Sequence, residues 1–306
     1  MATEITYSVT VPVYNSEGSL KELCDKIISA LQSYTFEIIL VDDASTDHSW
    51  QVITAIKKEY PAIIKAIRLS ENYGQHKALI CAFNHCRGAY VVTIDDDLQF
   101  DPQDILKLIE KQKESNAEVV YGVFQNNEHS YIRRLGSNSV KQYSKYKDNN
   151  NWNGSPFRLI SKDIIAVIIS EYKNVFIFLD EVLHWITTSF ATAEVRHYPR
   201  QVGKSSYTFG KLVKLYLNLL TDYSAIPLKL MIYSGFVFSI ISFLVGLYFV
   251  YRKLMYAVPL GYTSVIVAIT FCSGVIVLFL GVIGQYLYKI YASQQNKPIY
   301  NIKQIL

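Results

Sequence analysis

Three consecutive aspartates, Asp95, Asp96 and Asp97, hold the densest chemistry in this chain of 306 residues. In an extended segment alternate side chains face the same way, so Asp95 and Asp97, with Gln99 continuing the parity, can converge on one ion while Asp96 points elsewhere. Oxygen ligands of this kind suit Mg²⁺ or Mn²⁺, which could bridge the phosphates of a nucleotide. The same run could equally be a solvated acidic turn. Its place after an apolar run, with Asp42 and Asp43 after another, shifts the balance to metal and nucleotide binding. Asn15 and the segment Asn72 to Lys77 follow two further apolar runs.

These positions imply elements that carry them. Strands are expected at Tyr7 to Val13, Phe36 to Val41, Ile63 to Leu69 and Tyr90 to Ile94, with helices around 18–32, 46–59, 76–86 and 102–115. Near-continuous apolar strands alternating with helices predict an α/β fold with a mostly parallel, Rossmann-like sheet covered on both faces. Ligands in that class sit at the carboxyl ends of the strands, where the polar residues above fall. No glycine-rich phosphate loop follows the first strand, which disfavours dinucleotide oxidoreductases and P-loop enzymes.

Composition narrows the class. Half the residues are hydrophobic and 18% are charged, which excludes a disordered or fibrous chain. Lys and Arg number 30 against 26 Asp and Glu, a balance too mild and too dispersed for a nucleic-acid binder. The four cysteines contain no Cys-x-x-Cys pair and read as reduced, structural thiols. Met1 to Tyr14 lacks the pattern of a secretory signal, so the N-terminus is expected in the cytoplasm.

The apolar excess lies towards the C-terminus. Leu230 to Tyr251 gives 22 residues without a charge, closed by Arg252 and Lys253, and a second uncharged stretch runs from Leu254 to Tyr288. Each is long enough to span a bilayer, which takes roughly 20 apolar residues. The expected organisation is a cytoplasmic domain, 1–206, an amphipathic interfacial segment, 207–228, and two transmembrane helices within 229–290, at about 230–251 and 263–286. A cytoplasmic tail, 291–306, completes it. Lysines flank the outer ends of the pair, so both termini are expected on the cytoplasmic side of a multi-pass protein of the inner membrane. Gly235, Gly246, Gly274, Gly281 and Gly284 could allow close helix contact, hence a homo-oligomer.

The motifs VPVYN (Val11 to Asn15), VDDASTD (Val41 to Asp47), ENYGQHKAL (Glu71 to Leu79) and IDDDLQFDP (Ile94 to Pro102) together resemble family 2 glycosyltransferases of the GT-A fold. The likeness continues through GSPFRLISK (Gly154 to Lys162), RQVGKSSYTF (Arg200 to Phe209) and GVIGQYLYKIY (Gly281 to Tyr291). It thus covers almost the whole chain and points to the polyprenyl-phosphate glycosyltransferases, NYGQH being most like the undecaprenyl-phosphate aminoarabinose transferases. The resemblance implies a membrane-bound, metal-dependent, inverting enzyme that moves a sugar from a nucleotide-sugar donor to polyprenyl phosphate. It implies donor contacts from Pro12, Tyr14, Asn15, Glu17, Asp42, Asp43, Gln75, His76, Lys77 and Asp96. It also implies metal ligation by Asp95, Asp97 and Gln99, with both aspartates catalytic, and acceptor-phosphate contacts from Arg133, Arg158, Arg200, Lys204 and Ser205. Ala44 stands where relatives commonly have Gly, and Trp152 where they often carry an aspartate. Rival readings are a transferase acting on another lipid or a glycan, and a non-catalytic membrane scaffold that keeps the fold.

Overall fold

A computed structural model of the chain describes residues 5–124, 155–171, 179–196, 198, 261–294 and 298–306, together with separate positions between 231 and 255. Two compact units emerge, one comprising Met1–Lys204 with Lys297–Leu306 and the other Ser205–Asn296.

In the first unit apolar β-rich runs and amphipathic helices alternate: β1 (Tyr7–Val13), α1 (Leu20–Leu31), β2 (Phe36–Asp42), α2 (Ser49–Glu59), β3 (Ile64–Leu69), α3 (Gln75–Phe83) and β4 (Tyr90–Thr93). A 3₁₀ turn at Pro102–Asp104 leads into α4 (Ile105–Ser115). After it come β5 (Val119–Phe124), β6 (Arg158–Ser161), α5 (Lys162–Glu171), α6 (Leu179–Ile186) and β7 (Phe190–Val195). In α1, Leu20, Leu23, Cys24, Ile27 and Leu31 are all buried, the spacing that turns one helix face to a sheet. One face of the sheet packs with α1, α2 and α4, the other with α3, α5 and α6, so β1 is buried along its whole length.

The strand order is β7-β5-β6-β4-β1-β2-β3-β8, where β8 is Ile302–Ile305. The four strands expected from sequence lie side by side in its middle and are parallel. The expectation of a mostly parallel sheet is nevertheless corrected to a mixed one. β6 runs antiparallel to both β4 and β5, and β8 antiparallel to β3. The physical reason is connectivity: crossovers through α1, α2 and α3 bring β1 to β4 in side by side and parallel, whereas β6 and β8 enter later in the chain and are not bound to that direction. β8 lies within the segment expected as a tail, 291–306. Leu306 and Ala66 exchange backbone hydrogen bonds of 2.8 and 3.2 Å, so the last residues cover what would otherwise be an open edge.

Pro12 sits inside β1 without a ladder defect. β4 pairs with β1 only as far as Thr10, opposite Thr93, whereas β2 continues to Val13. The missing proline N–H falls on the side that β4 has already left. At the other end of the sheet Gly88 is packed against β1, and a Cβ there would lie 2.6 Å from the Ser8 nitrogen and 2.8 Å from the Tyr7 carbonyl carbon. Since both are backbone atoms, Gly88→Ala is expected to cost about 2 to 3 kcal/mol, read as a lower urea midpoint at unchanged slope.

In the second unit, α7 (Tyr262–Gln294) is a single helix of 33 residues with exposed Ile269, Val277 and Leu280. The expectation of two membrane-crossing helices, at about 230–251 and 263–286, is corrected: among the described residues no helix is long and apolar enough to cross a membrane. Lack of charge over a stretch of the right length does not by itself make a span, because the helix that forms must also be apolar enough along its length. With the spans fall the multi-pass localisation and the membrane-bound form of the enzyme. The interfacial segment expected at 207–228 lies outside the described residues.

Candidate functional site

The loops at the carboxyl ends of β1, β2, β3 and β4 are knitted together by their own polar side chains. Asn15 turns the chain after β1 with φ of 54°, and its Oδ1 accepts from the Thr46 amide at 2.8 Å and from the Thr46 hydroxyl at 3.2 Å. Its own amide donates to Ser45 Oγ at 3.0 Å. Glu17 reaches the amino end of α2, where the His48 amide donates to Oε2 at 2.8 Å. A carboxylate is favoured there because the first amides of a helix carry partial positive charge and lack intrahelical partners. The first and second loops therefore form one bonded unit, with Tyr14, Asn15 and Glu17 exposed.

Asp42, the last residue of β2, and Asp43, which follows it, are both buried. Asp42 Oδ1 accepts from the Ser45 amide at 3.0 Å, while Oδ2 lies 3.1 Å from Arg68 Nε as an ion pair without hydrogen-bond alignment. Arg68, from β3, also covers the Trp50 ring at 5.5 Å. Asp43 turns the other way and accepts from the Tyr73 and Gly74 amides, both at 2.8 Å, tying the loop after β2 to the loop before α3. Burial pushes the Asp43 carboxyl above the usual carboxylate range, against the pull of those two donors. Ala44, which follows Asp43, has φ of 55°, a left-handed conformation that a glycine would adopt without steric cost.

The acidic loop departs from the extended chain assumed in the parity argument. β4 ends at Thr93, Asp96 and Asp97 lie in a turn, and Leu98 has φ of 57°. Asp96 folds back onto the first loop, accepting from the Tyr14 amide at 3.0 Å and from the Ser16 hydroxyl. Burial raises its carboxyl despite those donors. Asp95 Oδ1 accepts from Gln75 Nε2 at 2.6 Å, which brings the first turn of α3 to the acidic loop. Asp97 Oδ1 accepts from the Gln99 amide at 3.1 Å, and the Gln99 carbonyl accepts from the Tyr198 amide at 3.0 Å. Asp95, Asp97 and Gln99 are part-exposed.

Of the expected acceptor contacts, only Arg158 is described, and it is 2% exposed. Its Nη1 donates to Asp180 Oδ1, an acceptor it shares with the Tyr121 hydroxyl at 3.1 Å. Arg133, Arg200, Lys204 and Ser205 lie outside the described residues. The residues that hold the site together and escaped the sequence reading are Ser16, Ser45, Arg68, Tyr121 and Asp180. Of these, Arg68 left a signal, a cation in the mainly apolar β3, which also carries Lys65.

The family model described as Glycosyl transferase family 2 matches residues 8–168. Three relatives, each called an undecaprenyl-phosphate 4-deoxy-4-formamido-L-arabinose transferase, align over nearly the full length. The one from Shewanella sediminis is 30% identical over 306 residues, 98% of this chain and 92% of the relative. Those from Serratia proteamaculans and Klebsiella pneumoniae are each 30% identical over 98% of this chain and 93% of the relative. The chain belongs to glycosyl transferase family 2 and is related to the undecaprenyl-phosphate sugar transferases. It is a glycosyltransferase that acts on nucleotide-sugar donors.

Proposed function

We propose that this enzyme transfers a sugar, with inversion, from a nucleotide-sugar donor to the phosphate of a polyprenyl phosphate. The observation that carries the reading is the near full-length match to relatives named for undecaprenyl phosphate, at 98% coverage of this chain.

The donor is assigned to the loop ends of β1 to β4. Pro12, Tyr14, Asn15, Glu17, Asp42 and Asp43 form the base and ribose side, Asp42 and Asp43 by fixing the loops on which ligand contacts stand. Gln75, His76, Lys77 and Asp96 border the sugar and phosphate side. Among the described residues no group of three or more His, Cys, Asp or Glu side chains could hold a metal. The donor set still fits a hard cation, because such ions are commonly held by one or two carboxylates and complete their shell with substrate phosphates. Asp95, Asp97 and Gln99 would hold Mg²⁺ or Mn²⁺ here, which when bound supplies positive charge to the leaving phosphate. The turn at Asp96 leaves Asp95 and Asp97 part-exposed for that role and commits Asp96 to the first loop.

A phosphate acceptor has a second pKa of about 6 by analogy with phosphoserine and is largely ionised at neutral pH, so it attacks without a strong base. Arg133, Arg200, Lys204 and Ser205 are assigned to that phosphate, since guanidinium groups offer it two aligned donors.

The test is a screen of nucleotide sugars with the purified full chain and undecaprenyl phosphate in detergent, with Mg²⁺, Mn²⁺ or chelator. The expected product is a sugar phospholipid cleaved by mild acid, formed only with divalent ion. Transfer to a different lipid or to a glycan, with none to polyprenyl phosphate, would overturn the reading.

A further inference from the structure

One strap, residues 299–306, grips the chain on both sides of the loop 71–74, which leads from β3 into α3. On the strand side β8 pairs with β3, Ile305 opposite Ile67, Gln304 opposite Arg68 and Ile302 opposite Leu69, with a shift of register between Arg68 and Leu69. The pairing does not stop where β3 stops. The Ser70 amide, one residue past the end of the strand, donates to the Asn301 carbonyl at 2.9 Å, so the shift carries the ladder up to the start of the loop. On the helix side the Tyr300 ring packs on the cluster that contains Ala78, Cys81 and Ala82 of α3, as does Tyr73 of the loop. The Tyr300 hydroxyl accepts from Asn84 Nδ2 at 3.1 Å, at the residue that caps the carboxyl end of α3. Ile299 packs against the neighbouring cluster that holds Leu79, Ile80 and Phe83 of the same helix.

Covering an open sheet edge asks only for backbone pairing somewhere along β3. The strap does more than that. Ile302, Ile305 and Leu306 are 37%, 45% and 36% exposed, so β8 brings pairing and little burial, whereas the better-buried Ile299 and Tyr300 are directed to α3. The segment between is tied to the neighbouring loops. Ser70 Oγ and the Tyr73 hydroxyl are hydrogen-bonded at 3.0 Å, the Tyr73 and Gly74 amides hold Asp43, and Gln75 holds Asp95. A shift at Ser70 or in the lie of α3 is therefore passed to the first turn of that helix.

We propose that the strap 299–306 is a positioning element for sugar transfer: the Asn301 carbonyl and the Tyr300 side chain fix the loop 71–74 and α3 so that Gln75, His76 and Lys77 meet the nucleotide-sugar donor. Asn301 sets where the loop begins, and Tyr300 sets the far end of the short helix on which those residues stand. Loosening either weakens donor binding while the sheet stays folded, because the buried residues of the core clusters come from other elements. The inference rests on the donor-side placement of the first turn of α3.

The test compares Tyr300→Ala, Tyr300→Phe and Gln304→Pro in the full chain. Leu306 and Ala66 form a hydrogen-bonded pair, so Gln304 and Arg68 form the next one along, and proline at that exposed position removes an N–H from the ladder without disturbing the core. Measured are KM and kcat for the nucleotide sugar active in the screen above, the urea midpoint, and amide hydrogen exchange. Tyr300→Ala and Gln304→Pro should each raise the donor KM roughly 3- to 10-fold, the weight of one hydrogen bond, with kcat within about twofold. The Ser70, Tyr73 and Gly74 amides should exchange about tenfold faster, while those of β1 keep their wild-type rates. Tyr300→Phe, which keeps the ring, should lie between Tyr300→Ala and wild type. A purely structural strap would lower the urea midpoint and the amount of active enzyme without moving donor KM, and that result, or unchanged exchange at those amides, would overturn the inference. If Tyr300→Ala does not fold, Gln304→Pro decides alone. Gln75→Ala tells this failure from failure of the donor-side placement. A raised KM there with unmoved strap variants sinks the role of the strap only, whereas an unmoved KM in Gln75→Ala removes the first turn of α3 from the donor site.

Discussion

Asp97→Ala is expected to lower kcat/KM for sugar transfer by about 100- to 1,000-fold, the loss typical of removing one preorganised electrostatic contact to a leaving group. The acidic loop offers two part-exposed carboxylates, and Asp96 does not substitute for either, because its own carboxylate is occupied by the Tyr14 amide and the Ser16 hydroxyl. Asp97 also accepts the Gln99 amide at 3.1 Å, so alanine frees the backbone of the loop as well as removing a charge. Asp97→Asn separates these effects: it keeps an acceptor for that amide while losing the negative charge. If charge is what matters, both variants fall by a similar factor and neither is restored by raising donor concentration. Binding of the nucleotide measured without divalent ion should persist in both, since the loops after β1 and β2 are untouched. A loss in Asp97→Ala with near wild-type turnover in Asp97→Asn would place the residue's importance in the loop geometry and count against a cation at this position.

Much of this arrangement was legible in the sequence, and the limits have physical causes. The four central strands are mainly apolar, a pattern that needs no partner information to read, and each is followed by polar residues that fall at the same edge of the sheet. β6 and β8 are only four residues each, too short for periodicity, and their direction depends on where distant chain segments return. The acidic run was read as extended, yet the turn at Asp96 is set by its bond to the Tyr14 amide, a contact between residues 82 apart that local spacing does not encode. Arg158 was assigned to a ligand from its motif alone. Its partner Asp180 lies on a helix that the sequence reading did not place, so the burial of the pair was out of reach. The C-terminal apolar stretches show the converse error, because their length and lack of charge were read as two spans whereas, among the described residues, no helix is long and apolar enough to cross a membrane.

Glu37→Ala is expected to destabilise the first unit by about 3 kcal/mol while leaving donor KM unchanged. Glu37 is a carboxylate near the start of the mainly apolar β2, only 1% exposed. Its Oε1 accepts from Ser8 Oγ and from the Arg87 amide, both at 2.7 Å, and its Oε2 accepts from Arg87 Nε at 2.9 Å. Ser8 Oγ in turn accepts from the Gly88 amide at 2.9 Å. One carboxylate thereby joins β1, β2 and the turn that leads into β4, at the end of the sheet opposite the candidate site. Alanine would leave the Arg87 amide only its longer bond to Ser8 Oγ, at 3.3 Å, and the Ser8 hydroxyl without its Glu37 acceptor, and a buried group left unsatisfied costs about 1 to 3 kcal/mol. The Arg87 guanidinium is largely exposed and can return to water, which keeps the total below that of a fully enclosed pair. Glu37→Gln retains an acceptor for the amide and should lose roughly 1 to 2 kcal/mol. Urea unfolding of both variants gives the ranking, and steady-state kinetics on the folded protein gives the second readout. A rise in donor KM at full stability would mean that this corner communicates with the loops at the far end, contrary to a purely structural staple.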